Sequence, residues 1–115
     1  MLDRFTLIAG PCVLEDDRLN LEIGRQLGWL SSAVGIPVVF KASFDKANRA
    51  RAGSPRGPGI DGGLEQLLRV KDETGLPILT DVHEVAQTVA VARVADVLQI
   101  PAFLCRQTDL VRAAG

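Results

Sequence analysis

Four short apolar runs divide the chain, and each is followed by a segment of helical period. The runs are FTLIAGPC (5–12), IPVVFKAS (36–43), LPILTDV (76–82) and DVLQIPAF (96–103). Each is apolar through its length rather than alternating, as expected of a strand buried on both faces. Between the first two runs, Leu19, Ile23, Leu27, Leu30 and Val34 recur at spacings of three and four and predict one apolar helix face, with Asp16 or Asp17 as cap and Gly35 as stop. Leu64, Leu67, Leu68 and Lys71 predict a second helix that ends at Gly75. EVAQTVAVARV (84–94) predicts a third, and RQTDLVRAAG (106–115) begins a fourth. The order βαβαβαβα calls for a parallel sheet covered by helices. Two architectures satisfy it: a doubly wound sheet, or half of a (β/α)8 barrel, whose full form needs about 250 residues. A half barrel would carry two unpaired sheet edges.

Composition excludes several classes. With 115 residues there is room for one domain, and 47% hydrophobic residues suffice for a core. Aromatic content of 4%, without Tyr, is thin for stacking on nucleic acid, and the formal net charge of −1 argues against general nucleic-acid binding. Cys12 and Cys105 are too far apart for a metal-knuckle spacing. The first residues lack a signal-peptide pattern, and the apolar runs are too short to span a membrane. A soluble cytoplasmic protein is the expectation.

Against this neutral background, residues 40–59 stand out. FKASFDKANRARAGSPRGPG holds Lys41, Lys46, Arg49, Arg51 and Arg56 against the single acid Asp45. Such a run is usually a solvated face, and Arg51 and Arg56 keep that reading. The start of the run, however, lies at the C-terminal end of a predicted strand, where parallel α/β folds place their sites. Cys12 lies at the end of the first strand. Lys41, Ser43, Asp45, Lys46, Asn48 and Arg49 follow the second. Asp81, His83 and Glu84 follow the third, and Gln99, Cys105 and Arg106 the fourth. Lysine offers a point charge to a phosphate or carboxylate, and arginine a bidentate fork. This many cations on one rim suits a substrate set with at least two anionic groups. Lys41, Ser43 and Asp45 alternate toward one side of the strand end. His83, the one histidine, fits a packed residue or a site group equally well. Cys12 is read either as a buried thiol or as a soft metal ligand. GSPRGPGIDGG (53–63) reads as a rim loop; it lacks the Gly-Lys-Ser/Thr of a phosphate-binding loop.

AGPC (9–12), FKASFDKANR (40–49), RGPG (56–59), TDVHE (80–84) and QIPAFLCRQTDL (99–110), in this order from about residue 5 to the end, resemble the 3-deoxy-D-manno-octulosonate 8-phosphate synthases. KANR and PAFLCRQTDL are the most specific of these stretches. A synthase of the shikimate pathway, forming 3-deoxy-heptulosonate 7-phosphate, shares the AGPC-like opening and is the alternative within the same chemistry. A short non-catalytic phosphate-binding or interaction protein is the alternative of another class. The resemblance implies that residues 1–115 are one incomplete (β/α)8 barrel domain, the N-terminal half. It implies condensation of phosphoenolpyruvate with arabinose 5-phosphate and water, a step toward lipopolysaccharide sugar. By resemblance, Lys41, Ser43, Lys46, Gln99 and Ala102 line the phosphoenolpyruvate site, while Asn48 and Arg49 hold the sugar phosphate. Lys46, Asp81 and His83 act at the reacting carbons. Arg106 reaches a neighbouring subunit's site, which implies a homotetramer. Cysteine at position 12 resembles the metal-dependent form, which uses a divalent ion such as Fe, Zn or Mn. The family's further ligands, a His, a Glu and an Asp, have no counterpart in these 115 residues, so this segment alone is expected to be inactive. Ala50 stands where the family usually carries Ser.

Overall fold

A computed structural model describes residues 2–46, 53 and 57–115. Four strands alternate with helices: β1 (Leu7–Val13), α1 (Asp17–Val34), β2 (Val38–Ser43), α2 (Ile60–Thr74), β3 (Ile78–Asp81), α3 (Thr88–Ala92), β4 (Val97–Gln99) and α4 (Thr108–Ala114). Short 3-10 turns at Val85–Gln87 and Ala102–Leu104 precede α3 and α4. The strands form one sheet in the order β1-β2-β3-β4, all pairs parallel. Sequential order decides between the two expected architectures. A doubly wound sheet reverses its strand order at a switch point, whereas a (β/α)8 barrel adds each strand beside the last. This is the arrangement of one half of a (β/α)8 barrel.

Register separates the two faces of the sheet. Phe40 pairs with Ile78, and Lys41 with Leu79; Leu79, Thr80 and Asp81 pair with Val97, Leu98 and Gln99. Side chains alternate along a strand, so these rows alternate between the faces. Val38, Phe40 and Ala42 of β2, with Phe44 beyond it, join Ile78, Val82, Leu67, Val70, Val91 and Leu110 in the core beneath the helices. Val39, Lys41 and Ser43 take the opposite face with Leu79 and Asp81. That face would be the interior of a barrel.

Several boundaries differ from the sequence reading, each for a local reason. α1 does not bury the full stripe expected: Leu30 and Val34 are exposed, while Asn20 and Gly24 are buried. Ile23 and Leu27 of the expected row do pack against the core, and a Cβ on Gly24 would lie 3.0 Å from Thr74 and 3.2 Å from Val70, so the missing side chain lets α2 approach there. The Asn20 amide fastens the β1–α1 turn instead, with Oδ1 accepting from the Glu15 N–H (2.9 Å) and Nδ2 donating to its carbonyl (3.1 Å). α2 starts at Ile60, inside the segment read as loop. Gly63 is there a packing residue, since a Cβ would fall 2.4 Å from the Cβ of Phe44. The fourth apolar run yields only Val97–Gln99 as strand. Pro101 has no N–H to continue the ladder, and the chain turns there. The third helix is confined to five residues because a 3-10 turn takes the first part of the expected span.

β1 is the less regular edge. Its register slips between Ala9 and Cys12, a bulge that places Cys12 at φ 70°. Leu7 and Ile8 are partly exposed. Among the described residues, no helix is long and apolar enough to cross a membrane.

Candidate active site

β2 and β3 end side by side, at Ser43 and Asp81. The Ser43 hydroxyl donates a short hydrogen bond to Oδ1 of Asp81. Nε2 of His83, two residues past Asp81, lies 3.0 Å from Oδ2 of the same carboxylate. Both partners are nearly closed to water, with side-chain exposures of 8% for His83 and 5% for Asp81. The His83 ring stands edge-on to Phe44, at 5.8 Å between centroids and 83° between planes. Phe44 thus serves two layers, as a core residue and as a wall for the imidazole.

Burial, the largest influence on Asp81, pushes its carboxyl toward the neutral form. Hydrogen bonds from His83 and Ser43, with the charges of Lys46 and His83, outweigh it, so the group titrates below its ordinary value of 3.8. Asp81 is therefore ionised at neutral pH and accepts from both neighbours. With a proton on Nε2 facing Asp81, a neutral ring has its lone pair at Nδ1. That nitrogen is buried and has no hydrogen-bond partner among the described residues.

The structure thus joins three of the expected residues, Ser43, Asp81 and His83, and sets the charge of Lys46 beside them. Lys41 is half-buried on β2 opposite Leu79, and Gln99 ends β4 in register with Asp81. Ala102 lies in the 3-10 turn after β4, and Arg106 lies exposed in the turn before α4. Neither touches the Ser43–Asp81–His83 group through a described hydrogen bond or ion pair. Asn48 and Arg49, with Ala50, Arg51 and Arg56, lie outside the described residues. Cys12 and Cys105 are free thiols, both exposed, so the buried reading of Cys12 is replaced by an accessible one. Among the described residues, no three side chains of His, Cys, Asp or Glu converge as a metal site.

Two contributors escaped the sequence reading. Gln87 sends Oε1 to the backbone N–H of His83, at 2.9 Å. Its one available signal was its place four residues after His83, within a stretch read as plain helix. Gly10 was read only as part of the first apolar run. It is a point of contact instead: a Cβ there would lie 1.8 Å from the carbonyl oxygen of Lys41.

The profile of the DAHP synthetase I family matches residues 2–115. A 2-dehydro-3-deoxyphosphooctonate aldolase of Syntrophotalea carbinolica is 58% identical over 95% of this chain and 39% of its own length. Proteins of the same name from Polaromonas naphthalenivorans and Fusobacterium nucleatum are 56% and 53% identical over 96% and 97% of the chain. The chain spans about two fifths of the length of these relatives, 39% and 40% respectively. A sequential parallel βα sheet, a polar cluster at its strand ends and a profile match over almost every residue lead to one assignment: the chain belongs to the DAHP synthetase I family.

Proposed function

We propose that the protein carrying this segment condenses phosphoenolpyruvate with arabinose 5-phosphate and water, releasing an eight-carbon 3-deoxy sugar acid phosphate and inorganic phosphate. The observation that carries this reading is the meeting of Ser43, Asp81 and His83 beside Lys46, in a chain whose relatives bear the name 2-dehydro-3-deoxyphosphooctonate aldolase. In the proposed reaction C3 of the enol attacks the aldehyde carbon, water adds at C2, and the bond from C2 to the phosphate oxygen breaks. Lys41 and Lys46 would neutralise the carboxylate and phosphate of the enol substrate, with Gln99 and Ala102 beside them. Asn48 and Arg49 would hold the sugar phosphate.

Asp81 is suited to a particular part of this work. A buried carboxylate that already accepts two hydrogen bonds, and titrates low, is a poor proton acceptor. It orients His83 instead, and leaves Nδ1 as the atom that exchanges a proton with a reacting group. Cys12 fits one place in a metal shell: its thiol is exposed at the end of β1, and sulfur suits Fe and Zn. A divalent ion of the kind proposed, Fe, Zn or Mn, would supply Lewis-acid polarisation when bound. Its other donors would come from outside the described residues. A homotetramer in the cytoplasm, with Arg106 reaching a neighbouring subunit, completes the proposal.

The deciding assay follows phosphate release from phosphoenolpyruvate with two acceptors. A five-carbon aldose phosphate yields the eight-carbon acid. A four-carbon one yields the seven-carbon acid of the shikimate-type alternative. Turnover restricted to arabinose 5-phosphate supports the proposal, and preference for the four-carbon acceptor overturns it. Lys46→Ala is expected to lower turnover by two to three orders of magnitude, since a group facing transition-state charge contributes about 3–4 kcal/mol. Unchanged turnover removes Lys46 from the site. Residues 1–115 expressed alone are expected to release no phosphate.

A further inference from the structure

We infer that Gln87 is a positioning residue for His83: its side-chain carbonyl accepts from the backbone N–H of His83 just beyond the end of β3, where the sheet no longer holds the chain. The Val82 N–H donates to Gln99 O at 3.0 Å and is the last pairing of this backbone with β4. β4 ends there, at Gln99. The next donor, the N–H of His83, points to the opposite side, past the last residue of β2, and has no backbone acceptor among the described residues. Gln87 Oε1 meets it at 2.9 Å.

Gln87 is itself held. Its N–H donates to Glu84 O at 3.1 Å, closing the 3-10 turn, and the adjacent buried Thr88 fastens the same turn through its hydroxyl to Val85 O at 2.8 Å. The loop thereby folds back so that a residue four positions on fixes the backbone of His83. Three contacts then determine the imidazole: backbone to Gln87, ring edge to Phe44, and Nε2 to Asp81. The last two leave the backbone free to rotate about the end of β3; the first removes that freedom. The bond is half-buried, so without Oε1 the donor is left partly desolvated, and the peptide would turn toward water or another partner and carry the ring away from Asp81. Gln87 touches no reacting atom in this scheme and acts through His83.

The inference takes its catalytic meaning from the proposed condensation, so its test has a readout independent of turnover. Gln87→Leu in the full protein is expected to lower kcat by roughly 10- to 100-fold with KM changed by less than about threefold, the range expected when a catalytic group is misplaced. The imidazole nitrogen resonances of His83 are expected to shift with it. Gln87→Glu, which keeps an acceptor at the same reach, is expected to recover most of both. If Gln87→Leu does not fold, Gln87→Met, flexible but equally without an acceptor, is read by the same criteria. Parental kcat in the acceptor-less variant, or a lower melting temperature with unmoved His83 resonances, overturns the inference. Should the parent protein fail to condense phosphoenolpyruvate with any aldose phosphate, the proposed function falls, and the His83 resonances alone decide the role of Gln87.

Discussion

The ends of β1 and of the β2–β3 pair lie on the same rim but place their side chains by opposite means. At β2–β3 the backbone is regular, and position comes from neighbours: Ser43, Asp81, His83 and Phe44 hold one another out of water. At β1 the neighbours are few and position comes from the backbone. The bulge between Ala9 and Cys12 and the φ of 70° at Cys12 project an exposed thiol. The first arrangement is sensitive to the removal of a partner. The second is sensitive to the addition of an atom. Bulges and left-handed non-glycine residues are features that folds retain next to sites despite their cost.

The largest effect should come from adding that atom. Gly10→Ala places a methyl group 1.8 Å from Lys41 O, a backbone atom of the neighbouring strand that cannot rotate aside. β1 would have to leave β2, and a loss of about 4 kcal/mol or more is expected, at the upper end for single substitutions. Gly28→Ala is the contrasting case, since no heavy atom lies within 4 Å of the added group. On the middle of α1 it should gain about 0.5–1 kcal/mol from helix propensity. Urea titrations of the two variants check the pair, and equal midpoints would show that the close approach at Gly10 does not constrain β1.

Removal of a partner is next in size. Asp81→Asn leaves an amide that can accept from one neighbour but not satisfy both, and turns a buried pair into a mismatch worth about 3 kcal/mol. The effect has a pH signature. Asp81 titrates below 3.8 when folded, so its stabilisation is present above 3.8 and disappears as pH falls through the lower folded value. The gap in urea midpoint between the parent and Asp81→Asn should therefore be full at pH 7 and narrow below pH 3.8. A gap that stays constant into strong acid would mean that the carboxylate charge does not hold this cluster together.

The comparison also explains what could be read from the sequence. The βα order was legible because each strand is a continuous apolar run bounded by Gly, Pro or polar residues. That parallel strands carry their polar residues at their C-terminal ends made Lys41, Ser43, Asp81 and His83 candidates. Their pairing was not legible. Ser43 meets Asp81 only because β2 and β3 are in register, a contact between residues 38 apart in the chain. The glycines of 53–63 look like loop residues by composition, but Gly63 serves the close packing of α2 on Phe44. The stretch after His83 has helical period, which hides the turn that sends Gln87 back to it. Asn48 and Arg49 remain expectations from resemblance, since they lie outside the described residues.

The smallest expected change separates strain from chemistry at the end of β1. A side-chain-bearing residue at φ 70° costs about 1–2 kcal/mol, and glycine escapes that cost but loses more entropy on folding. Cys12→Gly should therefore stabilise the fold by roughly 0.5 kcal/mol, the difference between these terms. Cys12→Ala keeps the strain and should leave stability unchanged. If Cys12 is a metal ligand as proposed, both variants should lose bound metal and most turnover, so that the more stable variant is also inactive. Full turnover of either variant, or of the parent protein after chelation, would remove the metal role. A marked loss of stability in Cys12→Gly would mean that the thiol packs against the rim rather than standing free. The expected combination, stability gained and activity lost, would identify the left-handed backbone as a cost retained to present sulfur at this position.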